Sequence, residues 1–162
     1  MAKIERTYLA HYIDSAFNAQ APEYIRLGSD LEEYSVELNP DVESKQNILG
    51  ENSVVVNGYE ASSTVEPYYC DSEDKLSTKL MDIAMDRTTS DGCKTTVVEV
   101  LLAAPEGNAA PECVWAWKED CYVVPESIGG DTSGVQVPFT IHRAGNRQKG
   151  VFDITTKKFT AN

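Results

Sequence analysis

The last third of the chain, from Cys113 to Phe159, constrains the fold most, because short stretches of alternating apolar and polar residues are separated there by Gly and Pro. Alternation with a period of two is typical of a strand that buries one face. Val135, Val137, Phe139 and Ile141 alternate in this way. Residues 95–160 are therefore predicted to form a strand-rich half, beginning with the apolar strand at 95–102. The small-residue stretch 105–112 is predicted to be a loop.

A single amphipathic helix is predicted over residues 71–87. The helix is predicted to begin at Asp71 or Ser72, with a side-chain cap and acidic residues in the first turn, and Leu76, Leu80, Ile83 and Ala84 then recur at helical spacing on one face. An apolar stripe on a helix must be buried against another element. The sequence thus predicts a mainly β fold with one flanking α-helix, made of two packed antiparallel sheets or a squashed barrel.

A long protruding hairpin is predicted between residues 33 and 60. Residues 34–39 alternate as a half-buried strand, Pro40 marks an edge or a bulge, and turn signals follow at 50–52 and 57–58. The apolar face of this hairpin is weak, and an unpaired edge is costly, so the hairpin is expected to find a partner strand in another subunit. The predicted assembly residues are Pro40, Asp41, Val42, Ile48, Leu49, Val55 and Tyr59.

One domain, residues 1–162, is expected, because no linker or repeat divides the chain. Residues 1–20 are assigned to an N-terminal arm or a short element, since their apolar residues fit either a helical stripe or a strand face. These residues contain no continuous apolar stretch, so neither a signal peptide nor a membrane anchor is expected there. A cytoplasmic origin is expected in consequence. The four cysteines show no CxxC pairing at zinc-ligand spacing. Cys113 and Cys121 could meet across a hairpin, but free thiols are expected because cytosolic thiols normally stay reduced.

No catalytic, cofactor-binding or metal-binding residue is predicted. The glycine-rich stretch 129–134 has neither a nucleophile elbow nor the lysine of a phosphate loop, and Asp131 is expected to serve the turn. Acidic pairs are common in a chain with 26 acidic residues, so a solvated acidic face is favoured over acid–base catalysis. His11 and His142 have no orienting partner in sequence and are assigned to packing or the surface.

Two other features leave alternatives open. Trp115 and Trp117 share one strand face and could stack on sugars, although core packing is favoured. The basic run at 143–149 is too sparse to hold nucleic acid in a chain of net charge −12, yet it would suit an acidic face of a neighbouring copy.

The order of these parts resembles the tail tube proteins of phages and phage-like particles of Gram-positive bacteria. The resemblance covers most of the chain and is carried by YIRLGSDLEEYSVELNPDVESKQNILGE, by CYVVPESIGGDTSGVQVPFTIHRAGNRQKGVFD and by the ending TKKFT. It implies six-copy rings that stack into a tube, in which the hairpin and the termini contact the next ring. Sheath, tape measure, baseplate and tail terminator proteins are the implied partners.

The hypothesis from sequence is therefore a non-enzymatic structural subunit of a virion tail, made in the host cytoplasm, whose acidic lumen conducts DNA without holding it. Glu37, Glu43 and Glu99 are the candidate luminal acids. The alternative is a monomeric β-sandwich that binds carbohydrate through Trp115 and Trp117, and an acid–base hydrolase is a distant third.

Overall fold

A seven-stranded antiparallel sheet forms the body of the protein in the computed structural model, which describes residues 3–18, 20–103 and 112–162. The strands are β1 (Leu9–Asp14), β2 (Tyr24–Arg26), β3 (Pro40–Gln46), β4 (Asn52–Tyr59), β5 (Ser62–Val65), β6 (Lys94–Leu102), β7 (Cys113–Pro125), β8 (Gly129–Asp131), β9 (Gly134–Gln136), β10 (Phe139–Asp153) and β11 (Lys158–Ala161). The order in the large sheet is β11-β10-β7-β6-β1-β2, and β5 pairs with β10 beside this path. The pairs β3–β4 and β8–β9 form separate two-stranded hairpins.

The two faces of the sheet bury different clusters, because successive side chains of a strand point to opposite faces. In β6, Val97 belongs to the cluster that packs under the helix, whereas Val98 belongs to the cluster on the other side. On that other side the Tyr12 and Phe152 rings lie 4.5 Å apart. The predicted mainly β class with one flanking helix is confirmed, with a single large sheet carrying both apolar clusters.

The flanking helix α1 (Lys75–Asp86) begins later than the sequence pattern predicts. The Asp74 side chain, and not that of Asp71 or Ser72, caps it by accepting a hydrogen bond from the backbone N–H of Leu76 at 3.0 Å. Leu76 and Leu80 are fully buried against the sheet. The predicted apolar stripe is therefore the face that docks.

The β3–β4 hairpin protrudes, as predicted. Every residue of β3 is exposed. At about 3.3 Å per residue, its seven residues carry the tip roughly 23 Å from the base. The tip turn is ordered by Asn47, whose Oδ1 accepts from the backbone N–H of Leu49 at 2.9 Å and of Glu51 at 3.0 Å.

Two segments differ from the sequence prediction, and a third lies mostly outside the described residues. Residues 9–14 form an interior strand between β2 and β6, so this part of the N-terminal segment is not an arm. Residues 34–39 are not a regular strand, because Tyr34 turns inward to Ser63 and only Glu37 makes a bridge, to Ser62. Of the predicted 105–112 loop, residues 105–111 lie outside the described part of the chain.

Candidate interaction groove

A groove of about 1040 Å³ lies between one face of the sheet and the segment that leads into the hairpin. We call it the Trp–Arg groove. Strand register explains its composition, since His11 of β1 pairs with Glu99 of β6, and Glu99 pairs with Trp117 of β7. The three side chains form a row across adjacent strands on one face. The lining that matters below is Arg6, His11, Glu99, Trp115, Trp117, Arg143 and Arg147.

A buried ion pair lies at the base of the groove. Nη2 of Arg143 donates to Oε1 of Glu99 at 2.7 Å, and the Arg143 side chain is only 2% exposed. Arg143 also donates to Ser63 Oγ at 3.3 Å, while its Nε has no hydrogen-bond partner among the described residues. A buried guanidinium of this kind depends on its carboxylate partner for charge compensation.

His11 completes the cluster, and its two hydrogen-bond partners determine which ring nitrogen carries the hydrogen. Its Nδ1 contacts the second oxygen of Glu99, and Arg6 Nη2 lies 2.8 Å from its Nε2. Because arginine only donates hydrogen bonds, Nε2 must be the acceptor and Nδ1 must carry the hydrogen that is given to Glu99. Arg6 also donates to the Tyr34 carbonyl at 3.2 Å, which ties the 34–38 segment to the sheet.

Burial and charged neighbours together set the protonation of Glu99 and Tyr34. Burial by itself would raise the pKa of Glu99, but the hydrogen bond from His11, with the charge of Arg143 and its hydrogen bond, outweighs burial and lowers that pKa. Burial, followed by the nearby Glu99 charge, raises the pKa of Tyr34 to about 12. Glu99 is thus ionised and Tyr34 neutral near neutral pH. Both oxygens of Glu99 and both ring nitrogens of His11 already have partners, so neither is a free acid or base.

The outer part of the groove is aromatic and cationic. The β10 strand bulges between Arg143 and Gln148, where Gly145 has φ 90° and Asn146 has φ 55°. The Arg147 guanidinium carbon lies 4.4 Å from the centroid of a Trp117 ring. Arg147 also reaches Glu119 at 3.6 Å. This part therefore offers half-buried indole surface beside a positive charge.

The predicted assembly residues lie outside the groove or at its rim. Ile48 and Leu49 are exposed at the hairpin tip, and Pro40 pairs with Tyr59 at the base, where Tyr59 also lines the groove. Asp41, Val42 and Val55 are exposed along the hairpin. The assembly role of these residues stays a prediction.

The candidate luminal acids fall into two environments. Glu37 and Glu43 are exposed, whereas the Glu99 side chain is 16% exposed and engaged with His11 and Arg143. Their luminal position also stays a prediction. The Arg143–Glu99–His11 cluster was missed by sequence reasoning, although one charged residue within the apolar run TTVVEVLL could have indicated a buried partner.

Possible metal ligands, the cysteines and the length of the helices bear on other kinds of site. No group of three or more His, Cys, Asp or Glu side chains within residues 3–18, 20–103 and 112–162 could hold a metal ion. All four cysteines are free thiols. No helix in the described ranges is long and apolar enough to cross a membrane.

Comparison with known proteins places the fold. No family model matches the sequence, and no curated protein matches it. The chain is structurally similar to the sheath/tube terminator of an extracellular contractile injection system, PVC, in the extended state, with a TM-score of 0.56, 13% identity, and coverage of 92% of this chain and 97% of that one. It is also similar to the tube-terminating cap of the anti-feeding prophage, with a TM-score of 0.50, 9% identity and 93% coverage of both chains.

These likenesses show a shared fold. The two neighbours are described as a sheath/tube terminator and as a tube-terminating cap, and neither is described as the main tube subunit to which the sequence resemblance pointed.

Proposed function

We propose that this protein is a structural end piece of a phage-tail-like particle, a subunit whose ring closes the tube. The observation that carries the proposal is near-complete structural coverage of two proteins that are described as a terminator and a cap. Coverage above nine-tenths on both sides means that the whole domain, and not one motif, is shared. The tube and, for a sheathed particle, the sheath would be its partners, within the virion tail.

The form of the surface agrees with a role in assembly. An exposed hairpin is a liability for a free monomer, because its unpaired edges and apolar side chains invite association. Ile48, Leu49 and Val54 are all strongly exposed here. A ring of six copies, the number that the tail-tube resemblance implies, would cover such surfaces while leaving the ends of the ring for the tube.

The second candidate is the main tube subunit itself, which the exposed hairpin also favours. In that case rings would stack without limit, and an acidic lumen would conduct DNA because carboxylates repel phosphate. The net charge of −12 suits this role as well. The two candidates differ in one property, since a terminator ring stops growing and a tube subunit does not.

Sedimentation velocity of the purified protein over a wide concentration range separates the candidates. A terminator is expected to give one closed species whose size stays constant once it has formed. A tube subunit is expected to give a broad distribution that grows with concentration. A protein that stays at 17.8 kDa throughout would contradict a self-closing ring and would favour the monomeric carbohydrate-binding alternative.

A further inference from the structure

We propose that the Trp–Arg groove of one copy receives the tip of the β3–β4 hairpin of a second copy. The inference rests on the proposed ring and names the contact that would close it. The chain carries both halves of the contact, a projecting tip and a groove, at different places on its surface. A contact between two different surfaces is heterologous, and repetition of such a contact closes a ring when the rotation allows it.

The hairpin tip has the character of a binding element. Ile48 is 102% exposed and Leu49 is 76% exposed, so two adjacent aliphatic side chains are presented to solvent. The turn that presents them is ordered by the Asn47 hydrogen bonds and by a bond from its Nδ2 to Glu51 Oε2 at 3.2 Å. An ordered tip loses little conformational entropy on docking, which favours affinity.

The groove offers what such a tip needs. Trp115 and Trp117 are half-buried and supply apolar surface, and Val36 and Leu38 supply more from the opposite wall. Aromatic side chains in a concavity are the usual anchors of protein interfaces. The aliphatic tip would therefore exchange contact with water for contact with indole rings.

Charge favours the same pairing. The groove is lined by three guanidinium groups, of Arg6, Arg143 and Arg147, against two carboxylates, which leaves it positive in a strongly acidic chain. The hairpin from 40 to 59 carries three carboxylates against one lysine, so it is negative. Opposite potentials steer the two surfaces together and disfavour groove-to-groove contact.

Complementation of two damaged copies tests the contact. The first variant, Ile48→Ser with Leu49→Ser, loses the tip and keeps the groove. The second, Trp115→Phe with Trp117→Ala, keeps the tip and loses the groove. Each variant alone is expected to be monomeric, and an equimolar mixture is expected to give a dimer of twice 17.8 kDa and nothing larger, because one intact contact remains.

Fluorescence reports on the same mixture, because Trp115 and Trp117 are the only tryptophans in the chain. The groove-damaged variant contains no tryptophan, so all emission comes from the intact groove of its partner. A shift of that emission to shorter wavelength is expected on mixing. A tryptophan-free protein that also carries the two tip substitutions is the matched control and should cause no shift.

Two further variants change only exposed side chains, so an effect on assembly would not come from misfolding. Arg147→Glu changes an exposed side chain and should weaken assembly more than tenfold, since it reverses the charge of the outer groove. Val151→Ser removes an exposed apolar side chain that does not line the groove, and should assemble normally.

The outcomes separate the contact from the ring. If the wild-type protein forms rings and the tip and groove variants do so equally well, the contact is refuted and the proposed function stands. If the mixture remains monomeric with unchanged emission, the contact is likewise refuted. If the wild type never assembles and no emission shift appears at any concentration, both the contact and the self-closing ring are refuted.

Discussion

Substitution of Glu99 by Gln should destabilise the protein strongly. The change keeps the shape of the side chain and removes the charge that compensates Arg143, which is 2% exposed and 2.7 Å from Glu99. The remaining hydrogen-bond partners of Arg143, Ser63 and Tyr34, are neutral and lie at 3.3 and 3.5 Å. Breaking a buried pair by removing one partner costs about 3–5 kcal/mol. For a chain of this size, a loss of that order lowers the Tm by roughly 6–20 °C.

Urea denaturation followed by circular dichroism measures this loss. The measurement is best made in the Ile48→Ser, Leu49→Ser background at low concentration, so that assembly does not contribute to apparent stability. Glu43→Gln is the matched control, because Glu43 meets Lys45 at 3.8 Å on the surface and should change the free energy of unfolding by less than about 0.5 kcal/mol.

A double mutant separates the pair from the fold around it. Glu99→Gln with Arg143→Met removes both charges, and such replacements are often close to neutral. The double mutant should therefore be more stable than Glu99→Gln alone. A loss below about 1 kcal/mol for Glu99→Gln, or no recovery in the double mutant, would refute the assignment of Glu99 as the compensating charge.

Four other outcomes are expected. The pKa of Glu99 is lowered in the folded state, so ionised Glu99 stabilises the fold fully above its unfolded pKa of about 4.3. This stabilisation is lost as the pH falls through the folded pKa. The free energy of unfolding should therefore fall more for wild type than for Glu99→Gln between about pH 5 and pH 2. Gly150→Ala should cost about 1–3 kcal/mol in urea unfolding, because its Cβ would lie 2.1 Å from the Thr160 carbonyl oxygen. Leu80→Ala should cost about 2–5 kcal/mol by the same assay, since it empties a fully buried site under the helix. Burial raises the pKa of Cys121 to about 12, so this thiol should react with a thiol reagent only after denaturation, and labelling of the native protein would contradict its packing.

Sequence reasoning succeeded where local rules decide the structure. The hairpin from Pro40 to Tyr59 follows from turn residues and a weak apolar face, and the helix follows from a stripe that needs only neighbouring residues. Both predictions required no knowledge of what lies across the fold. The error at the start of the helix was also local, because Ser72 and Asp74 are both acceptable caps.

The groove could not be predicted in the same way because its parts are distant in sequence. Glu99 and His11 are 88 residues apart, and Tyr34 and Arg143 are 109 apart. The register of β1, β6 and β7 brings His11, Glu99 and Trp117 into one row, and hydrogen bonds of β10 and of the 34–38 segment complete the groove. The burial of residues 9–14 has the same origin, since their alternation alone did not say that strands would cover both sides of β1.

Negative-stain electron microscopy of the purified protein, from low to high concentration, tests the central claim most directly. For an end piece, we expect closed rings of uniform diameter that remain single rings as concentration rises. Long hollow tubes would contradict the end-piece role and favour the main tube subunit. Fields of small particles without rings at every concentration would contradict self-assembly into a ring altogether.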